Sequence, residues 1–401
     1  MPEHRLTPEI AIPAHLRSQV QAKLAYVDEN IAGASVSEDG GAILLQLHSA
    51  IGKQTLEELE ARVHSVVAEM AKGAVEPKVE VLEDHLQRTV PFAADPMPDL
   101  LARGEVSREH AGIYSLGPML TRLIEVFETY FLQLAAEFDA SPHRFPTLIP
   151  AEMLGRVNYF RAFPHSLTFA THLRGDLHLI NNFAENAKYE ADGLNAPPAS
   201  FSKIQALLSP AVCYHLYFSL ADNPLPGGQL AATAVGHCFR YESSNLNSLE
   251  RMWDFSMREL IFVGPADFVL QNRDRARQQV ARFLESIGLA YKVESANDPF
   301  FVGEFRKQAA FQNAFQLKYE IRARLPFKAS LPFKDDTLAV GSYNYHQDFF
   351  GRHLNIKLPD GRPAHTGCVA FGLERLAYAF VSQFGLEPAA WPSVIREALN
   401  G

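Results

Sequence analysis

The apolar positions of the chain fall into two regimes that meet near residue 100. In the first, the run Ala42-Ile-Leu-Leu-Gln-Leu47 predicts a strand, and Leu56, Leu59, Val63, Val66, Val67 and Met70 recur at helical spacing. Thr55 and Glu58 form a capping-box pattern, which predicts a helix opening there and running through Met70. Val79-Glu-Val81 predicts a further strand. Pro91-Phe-Ala-Ala-Asp-Pro-Met-Pro98 is rich in proline and has no period, so it is expected to be a linker. Residues 1–100 thus read as a small α/β appendage with its linker, and residues 101–401 as the main domain.

Past the linker, Pro118 suits the first turn of a helix, where no N–H is needed. Leu120, Leu123, Ile124, Phe127, Phe131, Leu134 and Phe138 then continue at spacings of three and four. The run Phe145-Pro-Thr-Leu-Ile-Pro150 is extended, and its two prolines favour a sheet edge or an interface. A long apolar helix leading into such a strand could build the face of a homodimer. Val235 to Val263 predicts two strands joined by the polar loop Ser243-Ser-Asn-Leu-Asn-Ser-Leu-Glu250. Pro265 to Ile287 predicts a helix closed by Gly288. On it Arg273, Arg275 and Arg277 are expected to form a solvated face. Extended runs at Leu317–Ile321 and Leu338–Val340 precede a last helix over Gly372–Phe380.

At 401 residues and 47% hydrophobic, the chain can bury at least one large core. A formal net charge of −9 leaves no global positive field to draw nucleic acid or an anionic membrane. No apolar stretch is long enough to span a bilayer, and MPEHRLTPEI has no leader-like apolar region, so a cytoplasmic protein is expected. Cys213, Cys238 and Cys368 are too few, and odd in number, for a disulfide framework. Each remains available for packing, metal or chemistry.

Three segments place polar residues inside apolar patterns. In Cys238-Phe-Arg-Tyr-Glu242 and Arg251-Met-Trp-Asp-Phe-Ser-Met-Arg-Glu259, antiparallel pairing would let Arg240, Glu242, Arg251 and Glu259 converge on one concave surface suited to a phosphate ligand. In Gly367-Cys-Val-Ala-Phe-Gly-Leu-Glu-Arg-Leu-Ala377, glycines permit close backbone approach and Arg375 opens an otherwise apolar helix. The third is Ser342-Tyr-Asn-Tyr-His-Gln-Asp-Phe-Phe-Gly-Arg352. A lone cysteine in an apolar strand is ordinarily a packing residue, and so Cys238 is read. His165, His346 and His365 are read as satisfied polar groups.

These segments, in this order, resemble the three motifs of class II aminoacyl-tRNA synthetases: the helix and strand ending at Pro150, then Phe239-Arg-Tyr-Glu242 with Arg251 and Glu259, then Gly372-Leu-Glu-Arg375. Within that class the chain resembles the seryl branch, and most of all the amino acid:[carrier protein] ligases. That likeness is carried by Phe163-Pro-His165, Pro210-Ala-Val-Cys213, Asn344-Tyr-His346 with Asp348 and Gly351, His365-Thr-Gly-Cys368, and Ala390-Trp-Pro392 with Arg396. It covers roughly residues 100 to 401.

The resemblance implies an α+β fold, an antiparallel sheet flanked by helices, behind a small N-terminal α/β domain. It implies activation of a small amino acid (glycine, alanine or serine) with ATP as an adenylate, then transfer to the phosphopantetheine thiol of a carrier protein. By the same likeness Arg240 contacts the α-phosphate, Arg251 and Arg375 hold the β- and γ-phosphates, and Phe255 stacks on adenine. Glu242 meets adenine or the substrate amine, and Asn344 lies at the substrate. Mg²⁺ accompanies the triphosphate; Ser342 matches one metal-binding position of the seryl branch, whereas Ala339 stands where that branch has a glutamate. Cys213, Glu259 and Cys368 are implied as Zn²⁺ ligands, a set that leaves a fourth position open for an amine.

The alternatives are a zinc-dependent seryl-type tRNA synthetase and a non-catalytic paralogue. Against the first stand the short Glu242–Arg251 loop and an amino-terminal unit with neither a coiled-coil arm nor a basic stripe, so tRNA is not expected as a partner. Against the second stand three arginines expected to face phosphate unpaired.

Overall fold

The computed structural model describes residues 2–72, 79–191, 193–242, 246–296, 317–329 and 336–400, save the side chain of Ser18. Strands β1 (Glu3–Leu6), β2 (Ile31–Val36) and β3 (Ile43–Leu47) form a small antiparallel sheet in the order β1-β3-β2. Alternation in β3 buries Ile43, Leu45 and Leu47 together. They pack with helices α1 (Arg17–Leu24) and α2 (Lys53–Ala71) in a core of their own. Leu59, Val63, Val67 and Met70 are the buried stripe of α2, with Leu56 and Val66 half-buried at its margins. The helix opens two residues before Thr55, on Gly52, with no side-chain cap. Thr55 and Glu58 therefore lie inside the first turns, and the capping-box reading is wrong.

The large sheet contains β4 (Val81–Asp84), β5 (Ser141–His143), β6 (Leu230–Phe239), β7 (Asp254–Gly264), β8 (Tyr291–Ser295), β9 (Lys318–Arg324), β10 (Thr337–Gln347) and β11 (His365–Gly372). Their order is β4-β8-β9-β10-β11-β7-β6-β5, antiparallel throughout except for the β5–β6 pair at one edge. Strand β4 precedes the proline-rich segment yet belongs to this sheet. Glu83 on it accepts from Tyr291 Oη at 2.9 Å and from Arg277 Nη1 at 2.5 Å. The proline-rich segment itself lies against the last long helix: Phe92 N–H donates to Gln383 O at 3.0 Å and Tyr378 Oη donates to Asp95 at 3.2 Å.

One face of the sheet is covered by α3 (Pro118–Ala136), α5 (Ala266–Ser286) and α6 (Leu373–Phe384). Their aromatic side chains fill the interface, with Phe131 stacked on Phe371 of β11 at 3.6 Å between centroids. Helix α5 starts after Pro265 and ends before Gly288, whose φ of 68° only glycine adopts readily. The opposite face carries a second core, into which α4 (Cys213–Ser219) packs. Above it a three-stranded sheet has Leu148–Pro150 as an edge strand, as its prolines require.

The arginines of α5 do not form a free solvated face. Arg273 is buried over the Tyr319 ring at 5.6 Å, and Arg275 lies 4.6 Å over Phe138 and donates to Glu137 O. Arg277 is the partner of Glu83 noted above. Helical periodicity assigns a side to a residue; it does not reveal that a neighbouring strand brings an acid or a ring to that side. Among the described residues no helix is long and apolar enough to cross a membrane.

Two stability outcomes follow from these contacts. A Cβ on Gly351, in the short helix Phe349–His353, would stand 2.1 Å from Ala364 O. Gly351→Ala is expected to lower unfolding stability by about 2–3 kcal/mol, read from urea midpoints. His165 packs edge-on against Tyr26 of the amino-terminal unit at 5.3 Å, and burial lowers its pKa to about 4, against a smaller opposing pull from Glu242. The unfolded chain therefore takes up this proton first. The stability from a neutral His165 is complete above about pH 6.5 and is lost as pH falls towards 4. A His165→Phe variant is expected to flatten that limb of the stability–pH curve.

Candidate active site

Register builds the centre of the site. Between β7 and β11, Glu259 pairs with Ala370 and Ile261 with Cys368. Glu259 and Cys368 are thus diagonal neighbours on one face. On the other side of β11, Asn344 of β10 pairs with Cys368 and Ser342 with Ala370. Cys213, the first residue of α4, comes down from the second core.

The ligand atoms of Cys213, Glu259 and Cys368 all lie within 4.8 Å of one another, and the three residues are buried. Glu259 Oε1 accepts from Val212 N–H at 3.0 Å, while Oε2 is buried without a hydrogen-bond partner. Burial raises the Glu259 pKa, against hydrogen bonding from Cys213 and Val212 and the field of Arg240. Burial likewise pushes the Cys213 thiol well up, reinforced by Cys368 and Glu259. An orphaned carboxylate oxygen beside two sulfurs is costly unless a cation joins them. Donors about 2.0–2.3 Å from one tetrahedral ion stand about 3.3–3.8 Å apart, so this cluster needs little adjustment to close on Zn²⁺. The residues fit the metal and leave a fourth position open.

Next to the cluster lies a cationic wall. Arg240 Nε donates to Pro210 O at 3.0 Å, three residues before Cys213. Its guanidinium lies 5.5 Å from the centre of the Phe255 ring, and that of Arg375 lies 5.8 Å from the same ring. Phe255 is 6% exposed. Glu242 is ion-paired to Arg251, so Arg251 is not the unpaired cation expected from sequence. Burial acts to raise the Glu242 pKa, but Arg251, Arg375 and Arg240 outweigh it and hold the carboxyl below its ordinary value. Burial lowers the Arg375 pKa; Glu242 opposes this, while Arg251 and Arg240 add to it. Arg240, Glu242, Arg251 and Arg375 therefore share one field, and through Arg240 that field reaches Glu259.

Residues expected to hold Mg²⁺ do not form a cage. Ala339 offers no ligand, and Ser342 Oγ accepts from Asn344 Nδ2 at 2.9 Å. Glu320, opposite Ser342 in register, is ion-paired to Lys318 at 3.2 Å and Arg322 at 3.1 Å.

Cys238 is buried opposite Phe255 and lies outside the metal cluster. His346 pairs with Thr366 Oγ1 at 3.1 Å and His365 with Tyr345 Oη at 2.6 Å. Three features were not singled out in the sequence. Glu374 is buried and accepts from Ser256 N–H at 2.9 Å. Arg258, on the far side of β7 from Glu259, is buried and paired to Glu128 of α3 at 2.7 Å. Tyr217 is buried one turn after Cys213, and that spacing of four was the available signal.

No family model matches the chain. The amino acid–[acyl-carrier-protein] ligase 1 of Bradyrhizobium diazoefficiens is 32% identical over 313 residues, which is 78% of this chain and 92% of that protein. The type-2 serine–tRNA ligase of Methanopyrus kandleri is 26% identical over 337 residues, covering 81% of this chain and 64% of that protein. Among solved structures, M. kandleri SerRS in complex with A. aeolicus tRNASec superposes with a TM-score of 0.74 at 22% identity, over 99% of this chain and 77% of that one. The expectation that tRNA is not a partner is overturned by these last two matches. A short loop and a plain amino-terminal unit are not grounds for excluding an acceptor that proteins with this framework take.

If the cluster holds metal, purified protein is expected to carry about one zinc per chain by elemental analysis, the number one such site accommodates. Cys368→Ala is expected to lose it together with ATP–pyrophosphate exchange. Unchanged zinc content in that variant would refute the ligand set.

Proposed function

From the membership of this chain in the amino acid:[carrier-protein] ligases, class II aminoacyl-tRNA synthetase-like enzymes closely related to serine–tRNA ligases, we propose adenylation of a small amino acid followed by thioester formation. The family places the chain among ATP-dependent amino-acid ligases with a carrier-type partner. The finer reading is that glycine, alanine or serine is activated and passed to a phosphopantetheine thiol. The single observation that carries it is the buried Cys213–Glu259–Cys368 cluster standing against the Arg240–Phe255–Arg375 wall. One group of residues suits an amine and the other a nucleotide.

In the first step a carboxylate oxygen of the amino acid attacks the α-phosphorus, and the bond to pyrophosphate breaks. Arg240, fixed by the Pro210 carbonyl, meets the charge that grows on the α-phosphate oxygens. Arg375 and Arg251 take the β- and γ-phosphates, for which Arg251 exchanges its Glu242 partner. Glu242 is then free for adenine or the substrate amine, and Phe255 offers its ring to adenine. Asn344 borders the amino-acid side. Zinc, when bound, supplies a Lewis-acidic position for the neutral amine. Mg²⁺ would neutralise charge on the triphosphate, with Ser342 as the one matching position among the described residues. In the second step the carrier thiol's sulfur attacks the carbonyl carbon, AMP leaves with the bonding pair, and the thiol proton passes to solvent or phosphate. Proximity and preorganised charge do the work. Helix α3 and the edge strand Leu148–Pro150 provide the face for a homodimer acting in the cytoplasm.

The matches with serine–tRNA ligases favour a second acceptor, tRNA, after the same activation step. Labelled glycine, alanine and serine, each incubated with ATP and either holo-carrier protein or tRNA, separate the two. Hydroxylamine-labile label on the carrier is expected, with one amino acid preferred. Label on tRNA alone would overturn the thioester reading.

A further inference from the structure

Two thiolates and a carboxylate around a divalent cation sum to one net negative charge, and here that charge is buried. A site of this kind is stable only if donors outside the ligand set absorb the excess. We propose that Tyr217 and Asn344 are those donors, the Tyr217 hydroxyl to the Cys213 sulfur and Asn344 Nδ2 to the Cys368 sulfur. This rests on the zinc reading above.

The two sulfurs are approached from different elements, Cys368 by the neighbouring strand β10 and Cys213 by its own helix α4. Asn344 Nδ2 stands 3.4 Å from Cys368 Sγ, and the same nitrogen donates to Ser342 Oγ at 2.9 Å, which fixes the amide's orientation. Register enforces the approach, because Asn344 and Cys368 are paired across β10 and β11. Tyr217 follows Cys213 by four residues on α4, so the two side chains share one face of the helix. That spacing sets the phenol beside the Cys213 side chain, whose nearness adds to the larger effect of burial in raising the Tyr217 pKa. The alternative acceptor, Gly367 O, lies at 3.5 Å, the limit of a useful bond. The ring cannot turn away, since Phe350 packs on it at 4.5 Å and His346 at 5.9 Å. A fully buried phenol needs an acceptor; Gly367 O is a weak one, and a charged Cys213 thiolate on the same helix face would be the stronger.

The chemistry is directional. On metal entry both thiols lose their protons to solvent. Each sulfur then carries a lone pair that the donor lowers in energy, so less charge passes to the metal. The open position stays Lewis-acidic enough to take a neutral amine. Tyr217 and Asn344 are therefore positioning residues that act through the ligands.

Cobalt(II) in place of zinc makes this visible, because its thiolate-to-metal charge-transfer band reports the energy of the sulfur lone pairs. Tyr217→Phe and Asn344→Leu keep volume and remove one donor each. Both are expected to move the band to longer wavelength and to weaken zinc about 10–100-fold in competition with a chromophoric chelator. Tyr345→Phe, which removes another largely buried hydroxyl, paired to His365, controls for loss of packing and is expected to leave band and affinity unchanged. A wild-type protein that gives no such band with cobalt would remove the zinc reading itself. A wild-type band that neither variant moves, even with zinc weakened, would overturn the role given to Tyr217 and Asn344.

Discussion

A carboxylate buried in the middle of an eight-stranded sheet is the most demanding group in this molecule, and the site is organised around Glu259. One oxygen is satisfied by the backbone of the loop that carries Cys213; the other faces the sulfurs of Cys213 and Cys368, which are weak donors at best. The loop, α4 and strands β7, β10 and β11 are held together by that requirement. Removing the acid would leave the Val212 N–H without its partner and two cysteines with no charge to share. The immediate neighbour, Arg258, faces the opposite side, where its Nη atoms are held by Glu128 and Thr233.

The cationic wall solves a related problem. Guanidinium groups brought close enough to grip a triphosphate repel one another when none is there. Glu242 relieves this by pairing with Arg251, and the Phe255 ring offers a π-face to Arg240 and Arg375. Charge is thus stored in a form that an incoming anion can take over without new positive groups having to be moved into place.

Much of this was legible in the sequence because chemistry and periodicity disagreed there. Arg240 and Arg375 stand at positions an apolar pattern would fill, and Cys213, Glu259 and Cys368 sit in segments otherwise built for packing. The helices over Pro118–Ala136 and Ala266–Ser286 were equally plain, since each had a long stripe and a stop signal. What escaped depended on partners remote in sequence. Nothing local tells that Val81–Asp84 pairs with residues 292–294, or that Arg277 finds Glu83 there. The Thr55–Glu58 pattern lost to an earlier start because tertiary burial of Leu59 and Val63 sets the helix, with its end left to Gly52. The case against tRNA failed for a different reason: it treated the size of one loop as if it determined an acceptor, and a catalytic framework does not fix what is delivered to its mouth.

The three residues of the cluster come from widely separated parts of the chain, and 154 residues lie between the two cysteines. During synthesis Cys213 and Glu259 leave the ribosome long before β11 exists. The pocket cannot assemble vectorially, so until residue 368 has been made the nascent protein holds an incomplete binding centre whose exposed thiol and acid must wait for the strand that closes it.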